Sequence, residues 1–294
     1  MKKKLLLLVF LLPAVLFASI LVCLYVLNEF RDITVSPSGS GKDGLALHKR
    51  QGAERDTDET RRSRPEMGGF RSERFRPRVA IIIDDIGQHY DLDLSFIKLD
   101  LPLSLAILPS APFTDLMVRE ATRKGREILL HQPMEPKDYP NVKPGPGALL
   151  LSMNEYEIRE VLDRNLAQVS GARGVNNHMG SSFTESREKM SMVVHELKRR
   201  GLFFIDSRTT KSTVGFEEAK KLGLPAGQRT VFLDNDLSSE AIWNQIEYLL
   251  RTARECGGAI GIGHPYYQTI DILTKNQNRL RREVDLVPAS KLVR

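Results

Sequence analysis

Carboxylate and imidazole side chains recur in this 294-residue sequence at one kind of place, just after a short apolar run. Asp84-Asp85 follows Val79–Ile83, His131 and Glu135 follow Glu127–Leu130, and Asn176-Asn177-His178 follows Gly174-Val175. Asp206-Ser-Arg208 follows Leu202–Ile205, Asp234-Asn-Asp236 follows Thr230–Leu233, and His264 follows Ala259–Ile262. Two adjacent aspartates cannot both be buried unpaired, so Asp84 and Asp85 must sit where the chain leaves a core. One Asp with two His is the ligand set expected of Zn²⁺ or a similar divalent ion that keeps a position open for water. Such an ion polarises a carbonyl, a further carboxylate can act as general base, and a His across the site can protonate a leaving group. No Cys falls among these residues, which excludes a thiolate zinc site. A Gly-x-Ser-x-Gly elbow is absent, against a serine hydrolase. The glycines of Gly257–Gly263 flank an apolar run rather than open a helix, so they make a poor phosphate loop.

The elements that must position these residues follow from the apolar pattern. Val79–Ile83 has no polar alternation, as in a strand buried on both faces of a parallel sheet. Seven such runs occur, the remaining one being Leu103–Leu108, which ends in Pro109-Ser110. Between them lie amphipathic stretches. Met153–Val169 has Ser152 and Glu155 at capping-box spacing, Glu188–Arg200 stops at Gly201, and Ser239–Cys256 stops at Gly257. This alternation predicts an α/β fold with a parallel sheet of seven strands, open or closed into a barrel. Asp138–Leu150, rich in Pro and Gly, reads as a lid or rim insertion.

The flanks differ. Residues 1–27 open with three lysines and run uncharged from Leu5 to Leu27, long enough for a transmembrane anchor with the lysines cytoplasmic. That places the remainder on the periplasmic side of the inner membrane; the alternative is a cleaved signal sequence and a secreted periplasmic protein. Residues 28–77 read as a disordered charged linker, 78–280 as the catalytic domain and 281–294 as a C-terminal tail. The formal charge of +6 is misleading, because residues 78–294 hold 29 basic and 28 acidic side chains. A nucleic-acid partner is therefore not expected. Cys23 and Cys256 supply no disulfide framework.

Several of these motifs together resemble the divergent polysaccharide deacetylases, relatives of the NodB-homology carbohydrate esterases. The resemblance rests on Ile-Ile-Ile-Asp84-Asp85-Ile-Gly, His131-Gln-Pro-Met-Glu-Pro136, Gly174-Val-Asn-Asn-His178-Met-Gly-Ser181, Phe-Ile-Asp206-Ser-Arg208-Thr and Ile-Gly-Ile-Gly-His264-Pro. It implies an irregular (β/α) barrel, Asp84 as catalytic base, Asp85 as metal ligand and His264 as acid. Typical deacetylases place both metal histidines four residues apart in one loop, whereas here Glu135 stands in the second position. The third ligand beside Asp85 and His131 is then Glu135 or His178, and the family's preference for imidazole favours His178. The family's arginine motif is replaced by Asn-Asn-His, and a later tryptophan is absent. Asp206 and Arg208 remain, as a pair that orients the base or as a structural salt bridge. The implied activity is metal-dependent removal of N- or O-acetyl groups from an envelope glycan, with Zn²⁺ as the expected ion. The alternative is a catalytically silent module that keeps the cleft to bind glycan or organise an envelope complex.

Overall fold

A computed structural model describes residues 76–294. The segments read as anchor and linker lie outside them, save for Arg76 and Pro77. Among the described residues no helix is long and apolar enough to cross a membrane.

Strands and helices alternate from the start. The order is β1 (Arg78–Ile86), α1 (Tyr90–Lys98), β2 (Ser104–Ile107), α2 (Thr114–Arg123), β3 (Glu127–Met134), α3 (Glu155–Gln168) and β4 (Gly174–Met179). There follow α4 (Arg187–Arg199), β5 (Phe203–Asp206), α5 (Gly215–Leu222), β6 (Ala226–Gln228) and β7 (Val231–Phe232). Last come α6 (Ser239–Cys256), β8 (Gly258–Gly263), α7 (Tyr267–Glu283) and β9 (Asp285–Leu286). All strand pairs are parallel, in the order β6-β5-β4-β3-β2-β1-β8-β7, with β9 added beside β1. Nine strands therefore form where seven are expected, because β6 and β9 are too short to show as apolar runs. Both ends of the path lie in one stretch, Ala226–Phe232, which pairs first with β5 and then with β8. The sheet thus curls into an irregular, incomplete barrel.

Side chains alternate across each strand, and here both sides are buried. Val79, Ile81 and Ile83 join the large core under the helices. Ala80, Ile82, Ala106, Leu129, Phe203, Ile205, Ile260 and Ile262 form a second cluster inside the curl. Gly227 faces this interior, where a Cβ would meet Ile260 Cδ1 at 2.8 Å and Ile205 Cδ1 at 3.1 Å. A larger residue would have to push these two methyl groups aside.

Residues 281–294 are not a tail. They finish α7, add β9, and cover the amino-terminal end of the barrel interior with Ala289, Leu292 and Val293. The opening exists because β2 is short and pairs with β1 only from Ile82 onward, leaving Arg78 and Val79 free for β9. Glu127 fastens the cover: its Oε1 accepts from Ser104 Oγ at 2.7 Å and from Ser290 N at 3.2 Å, and Ser104 Oγ accepts from Ala289 N at 2.9 Å. Helix boundaries sit close to expectation, with one shift. The capping box of α3 is made by Asn154 and Glu157 rather than Ser152 and Glu155.

Glu127→Ala leaves the Ser104 hydroxyl and the Ser290 amide without their buried acceptor. It should destabilise the domain by ~1–3 kcal/mol, seen as a lower urea midpoint at unchanged m-value. An unaltered midpoint would show that the cover adds no stability.

Candidate metal centre

The interior column of each strand changes character at its carboxyl end. Two residues beyond Ile82 comes Asp84, beyond Leu129 comes His131, beyond Ile205 comes Ser207, and beyond Ile262 comes His264. β4 contributes Asn176 and His178 by the same period. The barrel is apolar at one end and polar at the other.

Asp85 leaves β1 where the register with β2 is irregular, and its φ of 57° is left-handed. Gly87, at φ 118°, completes the turn. Buried Asp93 holds it by accepting from Gly87 N at 2.7 Å and His89 N at 3.0 Å. This geometry brings Asp85 Oδ1 to 3.1 Å from His131 Nε2 and 2.9 Å from His178 Nδ1, and the two ring nitrogens lie 3.2 Å apart. Asp85, His131 and His178 are also the one group among the described residues whose ligand atoms lie close enough together to hold a metal ion.

The protonation state of His131 is set by its neighbour. Asn176 donates its amide to Asp84 Oδ1 at 2.7 Å and to Ser207 Oγ at 3.2 Å, so its oxygen faces His131 Nδ1 at 2.9 Å as an acceptor. His131 must donate from Nδ1, which leaves the lone pair of Nε2 facing Asp85 and His178. Asp85 Oδ1 is buried and has no well-formed hydrogen bond. An oxygen and two imidazole nitrogens converging with lone pairs repel one another unless a cation or protons lie between them. The residues fit a divalent ion with mixed imidazole and carboxylate ligands. Burial opposes ionisation of Asp85, but His131 and His178, when they carry protons towards it, outweigh burial and hold the carboxyl far below the ordinary range. Burial likewise opposes the charge on His131, yet Asp84 and Asp85 raise its pKa. Protons and a metal ion thus compete for the same lone pairs.

Asp84 is 2% exposed, with Oδ2 at 3.6 Å from His131 Nε2. Burial raises its pKa, against the charges of His131 and His264 and the hydrogen bond from Asn176. His264 is held by Asp234, whose Oδ1 lies 2.8 Å from His264 Nδ1 and whose Oδ2 accepts from His264 N at 2.6 Å and Thr269 Oγ1 at 2.8 Å. Burial resists the imidazolium, but the Asp234 hydrogen bond and the charge of Asp84 push it up to about 9.

Other expected site residues stand elsewhere. Glu135 is outside the cluster: its Oε2 accepts from Leu151 N at 2.8 Å, pinning the end of the 138–150 loop. Gln132 and Asn165 both donate to Gly147 O, at 2.9 and 2.8 Å, so that loop is a fixed rim rather than a lid. Asp206 faces away from the interior, accepting from Arg208 N at 2.9 Å, Thr213 Oγ1 at 2.8 Å and Phe216 N at 3.0 Å. It ties down the entry to α5 and makes no ion pair with the Arg208 guanidinium. A different arginine borders this edge. Arg229 donates to Ser207 O at 2.7 Å and Arg208 O at 2.8 Å and lies 3.7 Å over the Phe232 ring. Burial and the charge of Arg208 lower its pKa to about 10. Asp234 and Asn176 are visible in sequence as polar residues ending apolar runs, but their partners are not; Arg229 carries no such signal.

Residues 81–293 match the family described as divergent polysaccharide deacetylase. An uncharacterized protein of Haemophilus influenzae is 35% identical over 217 residues, covering 74% of this chain and 77% of that protein. The uncharacterized protein YibQ of Escherichia coli K12 is 32% identical over 216 residues, covering 74% and 67%. Among solved structures, that of an uncharacterized protein from Agrobacterium tumefaciens C58 is similar, with a TM-score of 0.71 at 29% identity over 74% of this chain and 89% of that one. The chain belongs to the divergent polysaccharide deacetylases.

Proposed function

We propose that this protein is a metal-dependent hydrolase that removes acetyl groups from an envelope glycan, with Asp85, His131 and His178 holding one divalent ion, Zn²⁺ by the chemistry of the donors. The observation that carries the reading is the convergence of Asp85 Oδ1, His131 Nε2 and His178 Nδ1, bordered by a second carboxylate and a carboxylate-paired imidazole. A bound divalent cation supplies polarisation of the acyl carbonyl and a lowered pKa for water.

The chain's own groups do the rest. Asp84 takes the proton of the attacking water. Burial holds its pKa above the ordinary carboxylate range, only partly offset by the charges of His131 and His264 and the Asn176 amide, and a raised pKa makes it the stronger base for that proton. With Nδ1 of His264 bound to Asp234, its Nε2 is the nitrogen left to protonate the departing amine or alkoxide. Asp206 enters this reading as a positioning residue, and Arg208 through its backbone, whose N–H donates to Asp206 and whose carbonyl accepts from Arg229. Asp206 fixes the chain at the end of β5, where Ser207 meets Asn176. The uncharged run Leu5–Leu27 motivates the companion proposal that the domain is tethered to the inner membrane on its periplasmic side.

Replacing Asp85, His131 or His178 with Ala should weaken metal binding by ~10-fold or more, measured by competition with a chromophoric chelator. Glu135→Gln should leave it unchanged, and loss of the ion in that variant would reassign the third ligand.

Asp84→Asn and His264→Ala should keep the ion and the fold while lowering acetate release from acetylated amino-sugar oligomers by ~10²–10⁴-fold each. Absence of acetate release from metal-loaded wild type across a broad glycan panel would defeat the hydrolase reading.

Activity should also fall as pH rises through the His264 pKa, because the acid must carry its proton. Asp234→Asn removes a cause of the raised pKa and should move that alkaline limb downward by about one pH unit or more. An unmoved limb would detach His264 from the acid role.

A further inference from the structure

The near-neutral charge of the domain hides a sorting along the barrel axis. Because all strands are parallel, each helix starts near the mouth and ends on the opposite face, where the strands begin. The first turns of the helices carry Asp91, Asp115, Glu155, Glu157, Glu188 and Glu240. The opposite face carries Lys98, Lys124, Arg173, Lys198, Arg282 and Lys291, all exposed and none in an ion pair with another described residue. Acids do occur there, but Asp100, Glu120, Glu196, Glu283 and Asp285 are each held by an arginine. Glu255 stands free against the six cations. Helix dipoles reward part of this sorting. They do not account for Lys124, Arg173 and Lys291, which lie outside the α-helices.

The cavities repeat the pattern. One of about 520 Å³ on the amino-terminal face has Arg173, Lys198 and Arg200 in its wall, and one of about 360 Å³ at the seam has Lys220 and Arg294; neither has an acidic residue. Two others flank the metal centre, of about 560 and 260 Å³. Both include Asp85, one adds Asp91, and neither has Lys or Arg.

The described chain also begins on the basic face. Arg76 donates to Val284 O at 2.8 Å and pairs with Asp285 at 3.0 Å, and the uncharged run Leu5–Leu27 precedes it in sequence. The free cations are not gathered in one cleft. They are spread over the ends of α1, α2, α4 and α7, the start of β4 and the cover. A folded acidic protein would have to match each of those points, whereas a fluid layer of phosphates meets them wherever they stand.

We propose that the amino-terminal face of the barrel, around Arg173, Lys198 and Lys291, docks on anionic phospholipid headgroups and so turns the metal centre away from the bilayer. The inference rests on the companion proposal of an inner-membrane tether and adds an orientation to it; it does not depend on the reaction.

The test uses full-length protein reconstituted with phosphatidylcholine vesicles, with or without phosphatidylglycerol as about a third of the lipid. A fluorophore on Cys256, exposed at the end of α6, reports the basic face in a Cys23→Ser background. One on Tyr267→Cys, with Cys256→Ser added, reports the mouth. Quenching by spin-labelled headgroups should rise about 3-fold or more at Cys256 when phosphatidylglycerol is present, and should not rise at position 267. The gain should vanish in about 0.5 M NaCl, where the Debye length is only ~4 Å. Combining Arg173→Gln, Lys198→Gln and Lys291→Gln should remove most of it, whereas Lys143→Gln on the rim loop should not. These side chains are exposed, and an unchanged thermal midpoint confirms the fold. Equal quenching in the two lipids, an undiminished gain in the triple variant, or a mouth label quenched as strongly as Cys256 would overturn the docking face. Binding of soluble polyglutamate without a response to phosphatidylglycerol would also overturn it, in favour of an acidic protein. Alkaline carbonate extraction of the same vesicles reads the tether separately. Carbonate-resistant association with no response to lipid charge keeps the tether and removes the docking. Salt-released, phosphatidylglycerol-dependent association without carbonate resistance does the reverse.

Discussion

The carboxamide of Asn176 divides the polar end of the barrel into a donor side and an acceptor side, and the rest of the site depends on that division. Its nitrogen is committed to Asp84 and Ser207, so its oxygen must face His131. An aspartate in its place would repel Asp84, and a leucine would leave three buried polar groups without partners. With Asn176 present, Asp84 is supported as an acceptor and His131 is turned so that a lone pair points at Asp85. One neutral side chain thus settles what two titratable ones can do. It can do so because it stands at the register partner of His131 on the neighbouring strand.

Backbone strain gathers at the same edge. Asp85, Ser110, Met179 and Arg208 are the non-glycine residues with positive φ among those described, at 57°, 56°, 52° and 49°. Asp85 and Met179 stand in the last residues of β1 and β4, and Ser110 and Arg208 lie just past the carboxyl ends of β2 and β5. A left-handed residue costs roughly 1–2 kcal/mol, so four of them are a sizeable fraction of a domain's net stability. Hydrogen bonds made by the buried residues Asp93, Asn177 and Asp206 hold Gly87 after Asp85, Met179 and Arg208 in place. The gain is geometric. A chain that turns sharply at the strand end leaves its last side chains over the barrel mouth instead of carrying them off into a loop.

How far this is legible in sequence follows from the length scale of each feature. The run Val79–Ile83 and the helix Ser239–Cys256 announce themselves because a strand or helix of ordinary length repeats its pattern several times. β6, three residues with a glycine at its centre, and β9, two residues, have no period to read. The cover formed by Ala289, Leu292 and Val293 is too short to show a period either, although Val284, Leu286 and Val287 are more apolar than a free tail requires. Positions ending strands are recognisable as a class, and Asp85, His131 and His178 do meet. Which neighbour each one meets is not recognisable, since Asp206 and Asp234 follow apolar runs in the same way. Asp234 turns to His264 and Asp206 turns outward to α5 because strand parity, counted from the actual strand, decides the face. Shifting a strand boundary by one residue sends each of these side chains to the opposite face.

The exchange between Glu135 and His178 shows how the fold distributes its work. On the parallel pair β3–β4, His131 lies opposite Asn176 and Pro133 lies opposite His178, so His178 stands one inward-facing step nearer the mouth than His131. With Asp85 on β1, His131 on β3 and His178 on β4, the cluster gathers side chains from three strands of the sheet instead of one loop. It also frees Glu135 for the Leu151 amide, which with Gln132, Asn165 and Gly147 makes the 138–150 segment a rigid wall. The cluster rises from strands and the rim beside it is pinned by a carboxylate, so both keep their places without a closing segment.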